Sequence, residues 1–339
     1  MAGRLRSKVR RALLISSGVL LALPLSGALY QTLTVRREAA RFPPPGQLVD
    51  IGGRRLHLIC IGQGEPAVIF EPGALQTSVS SELARVEVSS QTRVCSYDRM
   101  GTGWSDPGPP GPISAGELAE DLRLLLDRAG IPPPYILVPT SFGGLTAELF
   151  ARRYPERVAG LVFLDAANSV VLERGIATIG LRKAGSVCLA RVAARLGILR
   201  IFDPLGLRSS SAQPGRVIAL LYRAEPMDTI CAMTRGLPGS AQELRDAPAL
   251  PPQLPLVVLS HDKAAGFIPP GVGFLSRDPR YALFMNEWPS LQQEFSRRSR
   301  RGTWWTVPGT DHLIAGSQPH AVAATILEML AQVRREAQK

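Results

Sequence analysis

From Ala12 to Val35 the chain has no Asp, Glu, Lys or Arg at all. A helix of these 24 residues would span ~36 Å, enough for a hydrocarbon core of ~30 Å. A buried core helix fits poorly, because Arg4, Arg6, Lys8, Arg10 and Arg11 stand directly before the run. The segment therefore reads as a lipid-bilayer anchor, with a signal peptide cut near Ala28 as the alternative. Ser26-Gly27-Ala28 offers the small residues such a cut needs, but the apolar run continues past it through Leu29, Tyr30 and Leu33. Five basic residues before the run, against Arg36, Arg37 and Arg41 after it, place the N-terminus in the cytoplasm and the body outside. Cleavage would make the protein secreted instead.

Other scarcities narrow the function. There are four cysteines and four histidines, with no CxxC and no His-x-x-x-His. The Gly-Thr-Gly at 101 lacks the remainder of a phosphate-binding pattern, so no metal or cofactor is indicated. Cys60 with Cys95 and Cys188 with Cys231 is one of three possible pairings; four buried thiols is the other reading. No repeat of solenoid period is visible. Residues 1 to 41 hold eight basic residues and one acidic residue, or +7 of the formal +11. The remaining +4 is ordinary for a globular body. With 6% aromatics and no basic stripe interleaved with them, nucleic-acid binding is excluded.

What the chain does contain is an alternation of short apolar runs and leucine-periodic stretches. QLVDIGG and RRLHLICIG read as strands meeting at a Gly-Gly turn, with PAVIFEPG and TRVCSYDR as further strands. AGELAEDLRLLLDRAGI reads as a helix, ILVPTS as a strand, LTAELFARRYPE as a helix and GLVFLDA as a strand. Residues 167–250 then lose the strand rhythm, and it resumes with PLVVLSHD, a helical YALFMNEWPSLQQEFSRRSR, TWWTV and a terminal helix. The expected organisation is a basic tail 1–11, an anchor 12–35, a stiff proline-rich linker 36–46, a core in two parts 47–166 and 251–339, and a helical cap 167–250 between them. Alternation of this kind builds a largely parallel sheet of about eight strands, with chemistry at their carboxyl ends.

Three stretches carry a resemblance. YDRMGTGWSDPG from Tyr97 resembles the YDRxGxGxS turn of Ser-dependent α/β-hydrolase-fold proteins. PTSFGG resembles their G-x-S-x-G nucleophile turn, and VPGTDH their late histidine loop. Pro43 to Gly53 also resembles an N-terminal pattern found in membrane-anchored or secreted members. The resemblance covers about residues 44–329 and implies an esterase- or lipase-like fold and reaction class, with no substrate fixed.

On that pattern Ser141 is the nucleophile, with Gly143 and Gly144 on one side and Pro139 in place of the usual first glycine. A serine hydroxyl needs a base, and His312 occupies the family position. His57 reads as a strand-surface residue, His320 as a helix N-terminal one, and His261 as a strand-end residue whose neighbour Asp262 suggests a local turn. The base needs an acid. Asp165, in an LDAA context like the LDPA of pancreatic-lipase-like members, is preferred; Asp262, about two residues short of the usual seventh-strand site, is the alternative. The oxyanion donors are expected to be the main-chain N–H groups of Phe142 and Ala74, with Leu75 as second choice to Ala74. Glu71 stands where the family usually has histidine, and Asp98 and Arg99 read as structural. Trp304 and Trp305 read as core or sheet-edge residues.

The resulting expectation is a membrane-anchored serine hydrolase cleaving an ester through an acyl-enzyme. The leucine-, alanine- and isoleucine-rich cap points to a hydrophobic small-molecule substrate. An acyltransferase, perhydrolase or carbon–carbon hydrolase on the same fold is the alternative, as is an inactive tethered binding protein. Ser141 argues against dehalogenase and epoxide-hydrolase chemistry, which uses an aspartate nucleophile.

Overall fold

The computed structural model describes residues 2–210, 213–262 and 279–338; in parts of 2–21, 175–186 and 279–285, and at 210, only the backbone is described. Helix α1 (Ala2–Arg41) leads into β1 (Gln47–Asp50), β2 (Arg55–Ile61), β3 (Ala67–Glu71), α2 (Glu82–Val88) and β4 (Val94–Tyr97). Then come α3 (Ala115–Arg128), β5 (Tyr135–Pro139), α4 (Gly143–Arg153) and β6 (Val158–Leu164). Helices α5 (Ser169–Val171), α6 (Ala177–Arg195), α7 (Ile198–Phe202), α8 (Leu207–Ser210), α9 (Pro214–Leu221) and α10 (Ala224–Asp246) lie between β6 and β7 (Leu256–Ser260). The chain closes with α11 (Pro279–Ser296), β8 (Gly302–Thr306), α12 (Ile314–Ser317) and α13 (Pro319–Ala337).

The sheet order is β1-β2-β4-β3-β5-β6-β7-β8, antiparallel through β2 and β4 and parallel from β4 onward. β4 lies on one side of β3 and β5 on the other. Connections from neighbouring strands therefore diverge there and leave a crevice at the carboxyl ends. Both faces of the sheet are covered, which is why β5 and β6 read as unbroken apolar runs. Tyr135, Leu137, Leu161 and Phe163 enter the core with α3 and α4, while Ile136, Val138, Val162 and Leu164 enter the opposite one with α2 and α13.

Two expectations are corrected. His57 does not face solvent: it is fully buried, with Nδ1 2.8 Å from Asp98 Oδ2 and Nε2 accepting the Gly46 N–H at 3.1 Å. The reason is that β2 is an inner strand and the segment before β1 folds across it. Residues 36–46 are not all linker either. Helix α1 runs on to Arg41 because its last turns dock on the inserted helices, Gln31 donating to the Tyr222 carbonyl at 2.7 Å and Glu38 pairing with Arg200 at 2.5 Å. The expected span 12–35 lies within α1, with about a third of its side chains outside the described residues, and among the described residues no helix is long and apolar enough to cross a membrane.

The cysteines pair as Cys60–Cys95 and Cys188–Cys231. Cys60 and Cys95 are direct cross-strand partners on β2 and β4, so the register itself brings them together. Loop closure over 35 residues is worth about 3 to 4 kcal/mol in the chain-entropy account. Alkylation of the denatured, unreduced protein should find none of the four cysteines, and Cys60→Ser with Cys95→Ser should lower the unfolding free energy by about that amount.

Candidate active site

The carboxyl ends of β3, β5, β6 and β7 and the loop after β8 supply the residues. Ser141 follows β5 with φ at 51°, a left-handed conformation that only a tight turn would impose on a serine. The turn closes because its neighbours have no side chains. A Cβ on Gly143 would stand 2.6 Å from the Pro72 carbonyl oxygen, and one on Gly144 would stand 2.0 Å from that of Ala167. Pro139 ends β5 opposite Glu71, and the ladder continues from the next residue, the Thr140 N–H reaching the Glu71 carbonyl at 3.1 Å. A missing donor at 139 is therefore tolerated.

Asp165 follows β6 in the same left-handed region, φ 48°, and is fully buried. Four donors converge on its carboxylate. His312 Nδ1 lies 2.6 Å and His261 Nδ1 2.8 Å from Oδ2; the Trp288 indole N–H at 2.8 Å and the His261 main-chain N–H at 3.2 Å reach Oδ1. Burial alone would raise its pKa, but hydrogen bonds from His261 and His312 outweigh it and hold the carboxyl down at about 2. An anion buried with this many donors stays an anion. Asp262 is placed otherwise. Its Oδ2 accepts the Gly309 N–H at 3.1 Å and its own N–H reaches the Thr310 carbonyl, so it organises the loop that carries His312. His261 is not a local-turn residue with Asp262; it shares the carboxylate with His312.

The expected oxyanion donors lie at the turns after β3 and β5. Gly73 lies against Ser141, since a Cβ there would be 3.0 Å from Ser141 Cβ. Among the described residues the N–H groups of Phe142 and Ala74 find no acceptor. Glu71 is buried and takes hydrogen bonds from the Tyr97 hydroxyl and from Arg99 Nη2 at 2.7 Å. Burial raises its pKa, while Arg99 and the Tyr97 hydroxyl pull it back. His320 is exposed on the first turn of α13 beside Glu87, and Trp304 and Trp305 lie on the edge strand β8. Among the described residues no group of His, Cys, Asp and Glu could hold a metal ion.

Sequence reasoning missed two partners of Asp165. Trp288 gave no signal, being one apolar residue of a helix. His261 gave a signal in its strand-end place, which adjacency to Asp262 masked.

Residues 66–179 match the family model described as alpha/beta hydrolase fold. An uncharacterized protein of Schizosaccharomyces pombe is 26% identical over 83% of this chain, which spans only 54% of that relative's length. A Thermogutta terrifontis esterase superposes with a TM-score of 0.58 at 21% identity, covering 84% of this chain and 97% of its own. An epoxide hydrolase of Solanum tuberosum gives 0.62 at 17% identity, covering 84% and 98%. Likeness at these identities speaks of architecture, and it agrees with the strand order and the turns after β3, β5 and β6: the chain has the α/β-hydrolase fold.

Proposed function

We propose that the protein is a serine hydrolase that cleaves a carboxylic ester of a hydrophobic small molecule through an acyl-enzyme. The observation that carries the reading is the 2.6 Å contact between His312 Nδ1 and the buried Asp165 carboxylate, on the same sheet edge as a serine at φ 51°. With Nδ1–H donating to Asp165, the other ring nitrogen is the base. It takes the proton of Ser141 Oγ as that oxygen attacks the ester carbonyl, and the imidazolium is stabilised by the carboxylate. The carbonyl oxygen becomes an oxyanion held by the N–H groups of Phe142 and Ala74. Collapse expels the alcohol, which receives the proton from His312. Water, activated by the same histidine, then releases the acid and restores Ser141.

Asp165 serves as the acid rather than Asp262, whose carboxylate is engaged with the loop main chain at Gly309. The nucleophile here is serine, so the epoxide-hydrolase likeness extends to the scaffold and not to the reaction. We further propose that residues 12–35 tether the body to a lipid bilayer with the N-terminus cytoplasmic, on the strength of the charge-free run and its basic flank.

A fluorophosphonate probe should label the folded protein on Ser141 and nowhere else; no adduct there would remove the enzyme reading. Asp165→Asn should cut kcat by about 10⁴-fold, as loss of a triad acid does, whereas Asp262→Asn should change it by less than about tenfold. Equal losses would reassign the acid. The same variant tests the electrostatics. Because the Asp165 pKa is depressed on folding, its contribution to stability is present above the ordinary carboxylate pKa and is lost as pH falls toward about 2. The fall in Tm of the wild type between pH 5 and pH 2.5 should therefore be steeper than that of Asp165→Asn. For the tether, the full chain should stay with membranes through alkaline carbonate washing, and a protein released into the wash would argue for cleavage or a soluble body.

A further inference from the structure

Arg99 belongs to the turn after β4 and takes no part in the proton transfers above, yet it is 1% exposed and converges on the oxyanion side of the site. Its Nη2 donates to Glu71 Oε1 at 2.7 Å and to the Pro72 carbonyl at 2.5 Å; its Nη1 donates to the Gly73 carbonyl at 3.2 Å. The guanidinium carbon stands 5.6 Å from the centre of the Phe142 ring, and Nη1 lies 3.8 Å from Met233 Sδ on α10. The Gly73 carbonyl and the Ala74 N–H belong to one peptide unit, which is not among the cis bonds of the chain. In a trans peptide the C=O and the N–H point in opposite directions. Whatever holds the carbonyl therefore aims the N–H.

We infer that Arg99 is a positioning residue of the oxyanion hole: by gripping the Gly73 carbonyl it fixes the direction of the Ala74 N–H, and by lying over Phe142 it holds the side chain whose main-chain N–H is the other donor. This rests on the acyl-enzyme reading with Ala74 as donor. Three further observations bear on it. The Gly73 N–H is taken by Gln76 Oε1 at 2.8 Å, so it does not compete for the oxyanion. A buried cation at the carbonyl end also polarises the peptide and makes its N–H a stronger donor. Finally, the buried Glu71 is explained as the counter-charge that lets an arginine be buried there. The Gln76 N–H also reaches the Gly73 carbonyl, at 3.3 Å. The rival account is that this turn alone orients the peptide.

The test uses the full chain with two variants. Glu71→Gln combined with Arg99→Met removes both buried charges together, so neither is stranded, and Arg99→Lys keeps the charge but loses the fork. Ester kcat and KM, the Ki of a trifluoromethyl ketone that forms an oxyanion on Ser141, and active-site titration are measured for each. Loss of an oxyanion donor costs about 10²- to 10³-fold in kcat. The double variant should lose roughly 10²-fold in kcat with KM changed less than about threefold, and its ketone Ki should rise by a similar factor with the titrated fraction unchanged. Arg99→Lys should lose about tenfold, and this loss should vanish when Ala74→Pro has already removed the N–H, since two changes acting on one donor are not additive. A ketone Ki within about threefold of wild type in Arg99→Lys, or losses that simply add in the Ala74→Pro background, would overturn the inference. So would a loss confined to the titrated fraction. If the wild type gives no Ser141 adduct with the fluorophosphonate, the acyl-enzyme reading itself fails, and this inference with it.

Discussion

The buried carboxylate of Asp165 is the constraint from which most of the site follows. An isolated anion in a closed core would cost several kcal/mol or take up a proton. Here it is held by donors from three separate parts of the chain: His261 after β7, Trp288 on α11 and His312 after β8. Each donor is also fixed by the carboxylate it serves. The end of β6, the end of β7, one helix and the last loop are thus registered against one another by a single charge, and the orientation of His312 is one outcome of that registration.

Across the crevice the same edge solves a different problem, bringing the turn after β3 against the serine. Ser141 can occupy a left-handed turn only because Gly143 and Gly144 let the Pro72 and Ala167 carbonyls approach. The turn after β3 is in turn held from behind by a buried ion pair, Glu71 with Arg99. Such a pair does not by itself add much stability, because desolvation offsets its attraction. Its value lies in geometry, since a forked cation can hold two successive carbonyls at once.

The N-terminal helix shows how a local reading can stop short. RREAARFPPPGQ looks like a spacer because it is charged and then rich in proline. In the fold, Glu38 finds Arg200 and Gln31 finds the Tyr222 carbonyl, so the helix lasts until Arg41. The N-terminal helix therefore packs on the inserted helices through Gln31 and Glu38, and the stiff part of the connection shrinks to the few residues around Pro43–Pro45.

The sequence by itself determined the order of strands and helices, the turn that carries Ser141, the histidine at the late loop and the interruption by helices between β6 and β7. These are local properties: apolar runs, leucine spacing, glycines and prolines at turns, and a short motif. It left Asp165 and Asp262 both open as partners of His312, because both sit at strand ends and spacing cannot say which carboxylate meets an imidazole 147 or 50 residues away in the chain. The tertiary structure decided that contact, and with it the burial of His57, the pairing of the cysteines, the second histidine on Asp165 and the grip of Arg99 on the Gly73 carbonyl. Every one of these depends on which strands become neighbours. Strand adjacency is set by the packing of the whole sheet, so it could be read only once that sheet had been assembled.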